Sequence, residues 1–535
     1  MLFRNKIYVL LHDIAGMICI IFFLLLSVPE AILFLSGASG MEDLDETTIE
    51  RFDRFSSFPL KINSASRSRL LSSGLLSSYQ TASLLEYRSR CGDILGITEL
   101  AAVNGFGERY AEALSHFISF DSRLGPGERN PDSLTVRHDI TLRSSVRKDD
   151  GADALPAGGI KFNCELSGFG EVNFSARNTF SERAFNLTTF NATCYGNGHI
   201  GELTVGDFNA RFGQGLIVWS GFAMSGYPSA DSFSRKGSGI SPSRSFTGGF
   251  RGIAAVLEFG GISVSAACDH GKTGILALDF LGKNIHAGLV GNISPEGLRA
   301  GLNWRLSIRS LSFYGEAGYD GGAAALAGID CIPSYGWKAS VLAKYTGRTR
   351  EAALGLDSPF FKATASAVHN PVKGTSRYKL RTELFHCHKA GGLELEPSVR
   401  YILSLSPDSA PRRKNDLRAG LRAGLGKFES TIRAESVWSA GNGRLCYLET
   451  GYKGSVKVWL RGSLFNISEW DDRIYVYERD APGNFNVPAY YGKGYSLSAV
   501  AGWNGLYLRM SGIRYSRGEK RVLRLEAKLQ YRLKF

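Results

Sequence analysis

The alternation of apolar and polar positions is the strongest signal along this chain. Near its end, Leu523, Leu525, Ala527, Leu529, Tyr531, Leu533 and Phe535 are apolar, and Arg524, Glu526, Lys528, Gln530, Arg532 and Lys534 lie between them. A strict two-residue period of this length predicts a β-strand with one apolar and one polar face. The same period recurs at 160–166, 377–384 and 417–424. The repeats are about ten residues long, the length a tilted strand needs to cross a bilayer, and clusters of Gly, Asn, Asp and Ser between them read as turns. Counting them predicts about 16 to 24 antiparallel strands, even in number as a membrane barrel requires. So many similar strands in series are expected to close into one transmembrane β-barrel over 133–535 rather than to stack as a sandwich. The final strand has nothing beyond it and is placed to pair with the first.

Residues 41–120 lack this alternation and read as helices. Ser64 or Ser66 is placed to cap a short helix that Gly74 ends. A second helix is predicted over about 78–89, Thr98 to cap a third that Gly105 breaks, and a fourth to run from Glu108 to about Ile118. Ahead of them, Arg4 and Lys6 precede an apolar run densest from Met17 to Leu26, followed by small residues from Ser36 to Gly40. That is the layout of an export signal, with cleavage expected near 38–40. The expected organisation is a signal at 1–40, a helical domain at 41–120 with an acidic lead at 41–58, a linker at 121–132 around Gly125-Pro126-Gly127, and the barrel. In class this is an α+β multidomain chain, a small all-α domain followed by a large antiparallel transmembrane barrel.

Composition agrees without deciding. The mean hydropathy of −0.09 is far below that of a helical membrane protein, as expected when only alternate residues face lipid. The 63 glycines, 32 phenylalanines and 22 tyrosines suit tight turns and membrane interfaces. Charge is unevenly spread: 41–58 hold six acidic residues against two basic, 59–120 are close to balanced, and 121–535 hold 53 basic against 37 acidic. Charged residues avoid the lipid face, so the barrel's excess belongs in its lumen, where it would favour an anion, or in loops, where it would meet anionic lipid.

The helical stretch carries a local motif. Lys61-Ile62-Asn63, Leu70-Leu71, Gly74-Leu75-Leu76, Leu84-Leu85-Glu86-Tyr87, Thr98-Glu99-Leu100 and Gly105-Phe106-Gly107 follow one another in the order of a paired helix-hairpin-helix domain. The stretch resembles that domain of ComEA-type DNA receptors. The resemblance implies that backbone N–H groups at the hairpins hold DNA phosphates, as orphan donors at a helix N-terminus can. It points to Gly105, Phe106, Gly107 and Arg109, and to Gly74 and Leu75, although Leu76 departs from the hairpin's second glycine. The near-neutral charge leaves a second reading open, in which the domain docks a periplasmic protein or plugs the barrel. Two barrel segments, Val205-Gly206-Asp207-Phe208 through Phe222 and Ile474-Tyr475 through Gly494, together with the hairpins resemble a group of Bacteroidetes proteins that join such repeats to a barrel. That likeness implies an outer-membrane location with the helical domain in the periplasm, lipid and the barrel assembly machinery as partners, and DNA uptake or a non-enzymatic channel or scaffold as the role.

Chemistry is sparse. No nucleophile–base arrangement or phosphate loop is present, and no enzyme activity, cofactor or metal is expected. The seven cysteines after Cys19 are too dispersed for a zinc site, and the two histidines of His386-Cys387-His388 lack identifiable further ligands. Residues 212–250 are too rich in Gly, Ser and Pro for plain strands. They are expected to form either an outer loop or a loop folded into the lumen, where Gln214, Trp219, Arg235, Lys236, Arg244 and Arg251 would make a basic constriction.

Overall fold

The computed structural model describes residues 28–121, 136–166, 169–182, 184–196, 198–222, 226–244, 249–282, 284–334 and 336–535. The first 27 residues of the expected signal, and the expected linker apart from Asp121, lie outside these.

Among the described residues, 24 long antiparallel strands, from Val136–Asp149 to Lys520–Lys534, form one closed barrel. Two short segments, Gly239–Pro242 and His388–Ala390, lengthen its ladders. The last strand pairs with the first, with Ile140 opposite Leu533 and Arg143 opposite Gln530. The alternation maps onto the wall as expected. Leu417, Leu421, Leu460, Leu464, Leu525 and Leu529 are exposed on the outside, while Arg400, Arg433, Glu435, Glu449 and Arg461 are buried on the inside. A surface with leucines outside and ion pairs within is stable only against hydrocarbon, and closure leaves no strand edge there to hydrogen-bond. The architecture is therefore that of an outer-membrane β-barrel. Connections are mostly tight. At Asn504-Gly505 both residues take positive φ (44° and 84°), the form a two-residue hairpin needs to match strand twist.

The lumen is filled. Among the described residues, six α-helices lie before the wall: α1 (Val28–Ser36), α2 (Glu46–Ser57), α3 (Arg67–Ser72), α4 (Ser78–Cys91), α5 (Ile97–Ala102) and α6 (Gly107–Ser115). Asp45 caps α2 through the N–H groups of Thr47 and Thr48, Ser66 caps α3 through Arg69 N–H, and Ser77 with Gln80 makes a reciprocal capping box on α4. Helix α3 ends at Ser72, and Gly74 follows with φ +65°. Thr98 is not the cap of the third predicted helix: α5 begins at Ile97, and Gly96 occupies the cap position without a side-chain bond. A short parallel pair, Leu60–Lys61 with Ile118–Ser119, ties the ends of the helical region together around a core that includes Phe52, Phe55, Leu70, Leu84, Leu100 and Phe117. Residues 28–40, assigned from sequence to the export signal, join this unit: Ala31, Leu35 and Ala38 are buried, and Glu30 pairs with Arg422 of the wall.

The unit sits inside the barrel, and its acidic lead meets the basic lumen. Glu42 pairs with Arg418 and Arg433, Asp43 with Arg381, Glu50 with Lys161 and Asp53 with Arg532. On another stretch of wall the polarity reverses. Arg54 and Arg69 meet Glu171 and Glu165, Arg67 donates to Gly260 O, and Ser68 donates to Glu258. The helical unit is thus a plug with ion pairs to many strands. Two connections also fold inward. One follows the strand Ile200–Arg211. The other, between Val456–Ile467 and Gly492–Trp503, carries the short pair Ile474–Tyr475 with Ala489–Tyr490 and buries Val476; Tyr477 N–H donates to Glu42 of the plug.

Candidate functional site

The inward connection after Arg211 builds the site. Glu316, on the inner face of the wall, accepts the backbone N–H groups of Gln214 (2.7 Å), Leu216 (3.1 Å) and Ile217 (3.1 Å). Three donors on one carboxylate hold the connection where a disordered outer loop could not be. Farther along, Asp357 accepts Ala230 N–H at 3.0 Å, Thr364 Oγ1 donates to Tyr227 O at 2.7 Å, and Lys338 meets Asp231 at 3.1 Å. Phe233 is buried among Tyr314, Leu326, Leu342 and Ala353. On its other side the connection touches the plug. Ser229 Oγ donates to Gly37 O, Ser39 Oγ to Pro228 O, and Lys236 Nζ to Leu35 O and Tyr110 Oη, all within 3.0 Å.

Between plug, inward connection and wall lies a cavity of about 1030 Å3. The plug contributes Arg51, Gly74 and residues 104–110, the connection Gln214, Trp219, Tyr227, Arg235 and Lys236, and the wall Arg211, Arg305, Lys344 and Lys362. Ten of the lining side chains are basic and five acidic. The enclosure is therefore net positive, and it presents the Gly105–Gly107 hairpin on one side and Trp219 on the other.

The hairpin candidates divide. Gly105 (φ +88°) and Gly107 (φ +68°) form the exposed turn and Phe106 buries its ring behind it. A Cβ on Gly105 would lie 2.6 Å from the Tyr79 ring, so the close approach as well as the backbone requires glycine there. Arg109 lies over the Phe34 ring, and Gly74 lines the same cavity. Leu75 does not: it is 1% exposed in the plug core, and its carbonyl accepts the Tyr110 hydroxyl. The constriction candidates divide as well. Gln214, Trp219, Arg235 and Lys236 come together at the cavity. Arg244 is instead in the ion-pair cluster of Glu171. Arg251 is not in the lumen at all: it shares the outward face of its strand with Ile253 and Leu257 and pairs there with Asp207. Glycine 252 follows it, and strand parity carries its side chain away from the lumen.

Arg51, Arg211 and Glu316 are the site residues that pattern reading missed. Arg51 enters only the charge balance of the acidic lead, and Arg211 lies within the segment 205–222 without being singled out. The excess of basic residues in the barrel included Arg211, whereas no sequence signal marked Arg51 or Glu316. Cys387 lies near Glu394 and Glu396, with ligand atoms within 4.8 Å of one another, but Arg422 already donates to both oxygens of Glu396. His386 and His388 are exposed on the opposite face, so the three adjacent residues do not converge.

No protein-family model matches the chain, and no curated protein matches it. Among solved structures it is similar to barrels of Pseudomonas aeruginosa. The outer membrane protein OpdK, solved with vanillate, is 10% identical; the match covers 75% of this chain and 99% of that one at a TM-score of 0.30. OpdL is 10% identical over 76% and 99%, at 0.32, and OccK10 (OpdN) 11% identical over 75% and 99%, at 0.31. Superposition this loose transfers neither a substrate nor a strand register to this chain.

Proposed function

We propose that this protein is a non-enzymatic outer-membrane channel closed by its own helical domain, which admits a solute through the cavity between plug and wall. The observation that carries the reading is the enclosure itself: a net-positive cavity of about 1030 Å3 bounded by plug, inward connection and barrel. Cavities of this size hold solutes of drug-like dimensions. The wall begins and ends at the same rim, since Val136–Asp149 and Lys520–Lys534 are antiparallel neighbours. In barrels of this kind that rim is periplasmic, which would give the plug access from that side.

The DNA reading finds less support. Its hairpin faces the cavity between plug and wall, and Arg54, Arg67 and Arg69 of the plug are engaged by the wall. Conductance of the purified full-length protein in planar bilayers tests the proposal. A low conductance is expected that rises when mild urea loosens the plug, with anions preferred over cations. A barrel that stays silent in every condition defeats it. Micromolar binding of duplex DNA by the full chain, with a steep salt dependence, would restore the other reading.

A further inference from the structure

The lumen's arginines are mostly spent on carboxylates. Arg381 is held by Asp43, Arg433 by Glu42 and Glu435, Arg461 by Glu449 and Arg509 by Glu478. One group departs from this. Arg51, Arg109, Arg211, Arg235 and Lys236 all line the large cavity, and none has a carboxylate partner among the described residues. The nearest acids act only from beyond ion-pair distance, Asp45 on Arg51 and Arg211 and Glu316 and Glu351 on Arg235; Glu316 is held by three backbone N–H groups, and Asp231 and Asp330 are taken by Lys338.

The arrangement is specific. The guanidinium carbons of Arg211 and Arg235 lie 5.7 and 5.1 Å from the centroid of the same Trp219 ring. Arg211 is 8% exposed and spends only Nε on protein, donating to Ser220 O at 2.9 Å. Two glycines make room for the cluster. A Cβ on Gly215 would sit 2.8 Å from Arg235 Nη1 and from Trp219, and one on Gly74 would sit 2.8 Å from Arg51 Nη1. Burial pulls the Arg51 guanidinium below its ordinary pKa, the mark of a cation short of compensation. Gathering enclosed cations without counter-charge is costly, so buried charges are ordinarily paired. Planar guanidinium forks are matched in geometry by carboxylate and phosphate oxygens.

We propose that Arg211 and Arg235, which flank Trp219, together with Arg51 on the same cavity form the binding site for a multivalent small anion bearing phosphate or carboxylate groups. Arg109 and Lys236 complete the positive rim. Arg51 comes from the plug, Arg211 from the wall and Arg235 from the inward connection, so the anion bridges all three. The inference names the solute class of the channel and rests on that reading for its role in passage, while the binding itself does not need it.

The test is isothermal titration of the full-length protein in detergent at low salt, with tripolyphosphate, citrate and the neutral sugar maltose as probes. One tripolyphosphate or citrate per chain is expected, at a Kd of ~100 μM or tighter, weakened by added salt; maltose should not bind. The tighter of the two anions identifies the oxygen chemistry. The double variant Arg211→Gln, Arg235→Gln should lose affinity at least about tenfold, while Arg299→Gln, at the start of the strand Gly297–Ile308 beside the exposed turn residue Glu296, should not. Native protein supplies a check free of folding effects: the bound anion should protect Arg211 and Arg235 from phenylglyoxal, read by peptide mass spectrometry. Absence of binding by both anions, unchanged affinity in a double variant that keeps the wild-type heat-modifiable mobility, or equal labelling with and without anion each overturns the site. Binding without conductance would defeat the channel and leave the site standing; conductance without binding would do the reverse.

Discussion

Replacing Glu171 by Gln should loosen the plug more than any other single charge removal on the wall. Glu171 is 1% exposed and takes Arg54 and Arg69 from the plug and Arg244 from the inward connection. Gln keeps the volume and removes the charge, so three enclosed guanidiniums lose their shared counter-ion. Removing one partner of a buried ion pair costs about 3–5 kcal/mol. Glu165 softens the loss, because Arg69 also reaches it at 2.9 Å and Arg54 at 3.9 Å, which places the expected cost near the lower end, ~3 kcal/mol. At about 1.4 kcal/mol per tenfold, that is roughly a hundredfold shift from seated towards displaced plug. Single-channel recording at a urea concentration where the wild type opens rarely would read the shift as a rise of about two orders of magnitude in open probability. Glu296→Gln, in an exposed turn and paired with Arg299, which Asp320 also holds, serves as control and should change it less than about threefold. An open probability in Glu171→Gln indistinguishable from that control would show that the Glu171 cluster does not hold the plug.

Acid should act on the opposite stretch of wall. Burial alone would raise the pKa values of Glu42 and Asp43, but Arg418 and Arg433 beside the first and Arg381 beside the second outweigh it and hold both carboxyls low. A depressed carboxylate stabilises the seated state above its ordinary range and loses that contribution only as pH falls through the depressed value. Closed-state conductance should therefore be level from about pH 8 to about pH 5 and rise below about pH 4; a rise centred near neutrality would refute the assignment. Leu460→Arg places a charge among outward leucines and should destabilise the bilayer-inserted barrel by about 2–4 kcal/mol in urea unfolding, provided residue 460 is near the midplane as its position in Val456–Ile467 suggests. Because Ala31, Leu35 and Ala38 are packed in the plug and Glu30 pairs with Arg422, intact-mass measurement of the mature protein should find residues 28–40 retained; a mature chain beginning at 39–41 would contradict their structural role.

The wall was readable because its cause is local. A two-residue period in 523–535 or 417–424 states which side chains face lipid without reference to any other part of the chain. The composition of 212–250 marked a departure from strand, and the three N–H groups on Glu316 give the reason it lies inward. The plug was harder because its partners are remote. Glu42 meets Arg433 and Asp53 meets Arg532 across hundreds of residues, and no periodicity encodes such pairs. What the sequence held was their sum, an acidic lead before a basic barrel, which fits both a domain outside the barrel and a stopper within it. The break between helices at Gly105 was likewise visible, whereas the cavity it faces depends on where the whole domain is seated. Arg251 misled because counting basic residues in a loop ignores the parity of the strand it enters.

The seam of the cylinder has a further consequence. Arg532, on the last strand, donates through Nε to Asp139 on the first strand at 2.9 Å and through Nη1 to Asp53 of the plug at 2.7 Å. One guanidinium therefore joins the chain's final strand, its first strand and the stopper made before either. The helical unit lies beside two inward connections that cross the lumen. Arg532 is a clasp of two parts: its bonds to Asp139 join the ends of the wall, and its bond to Asp53 is made only with the plug seated. For a channel of the kind proposed, the residue that fastens the wall's seam would thus also hold the stopper within it.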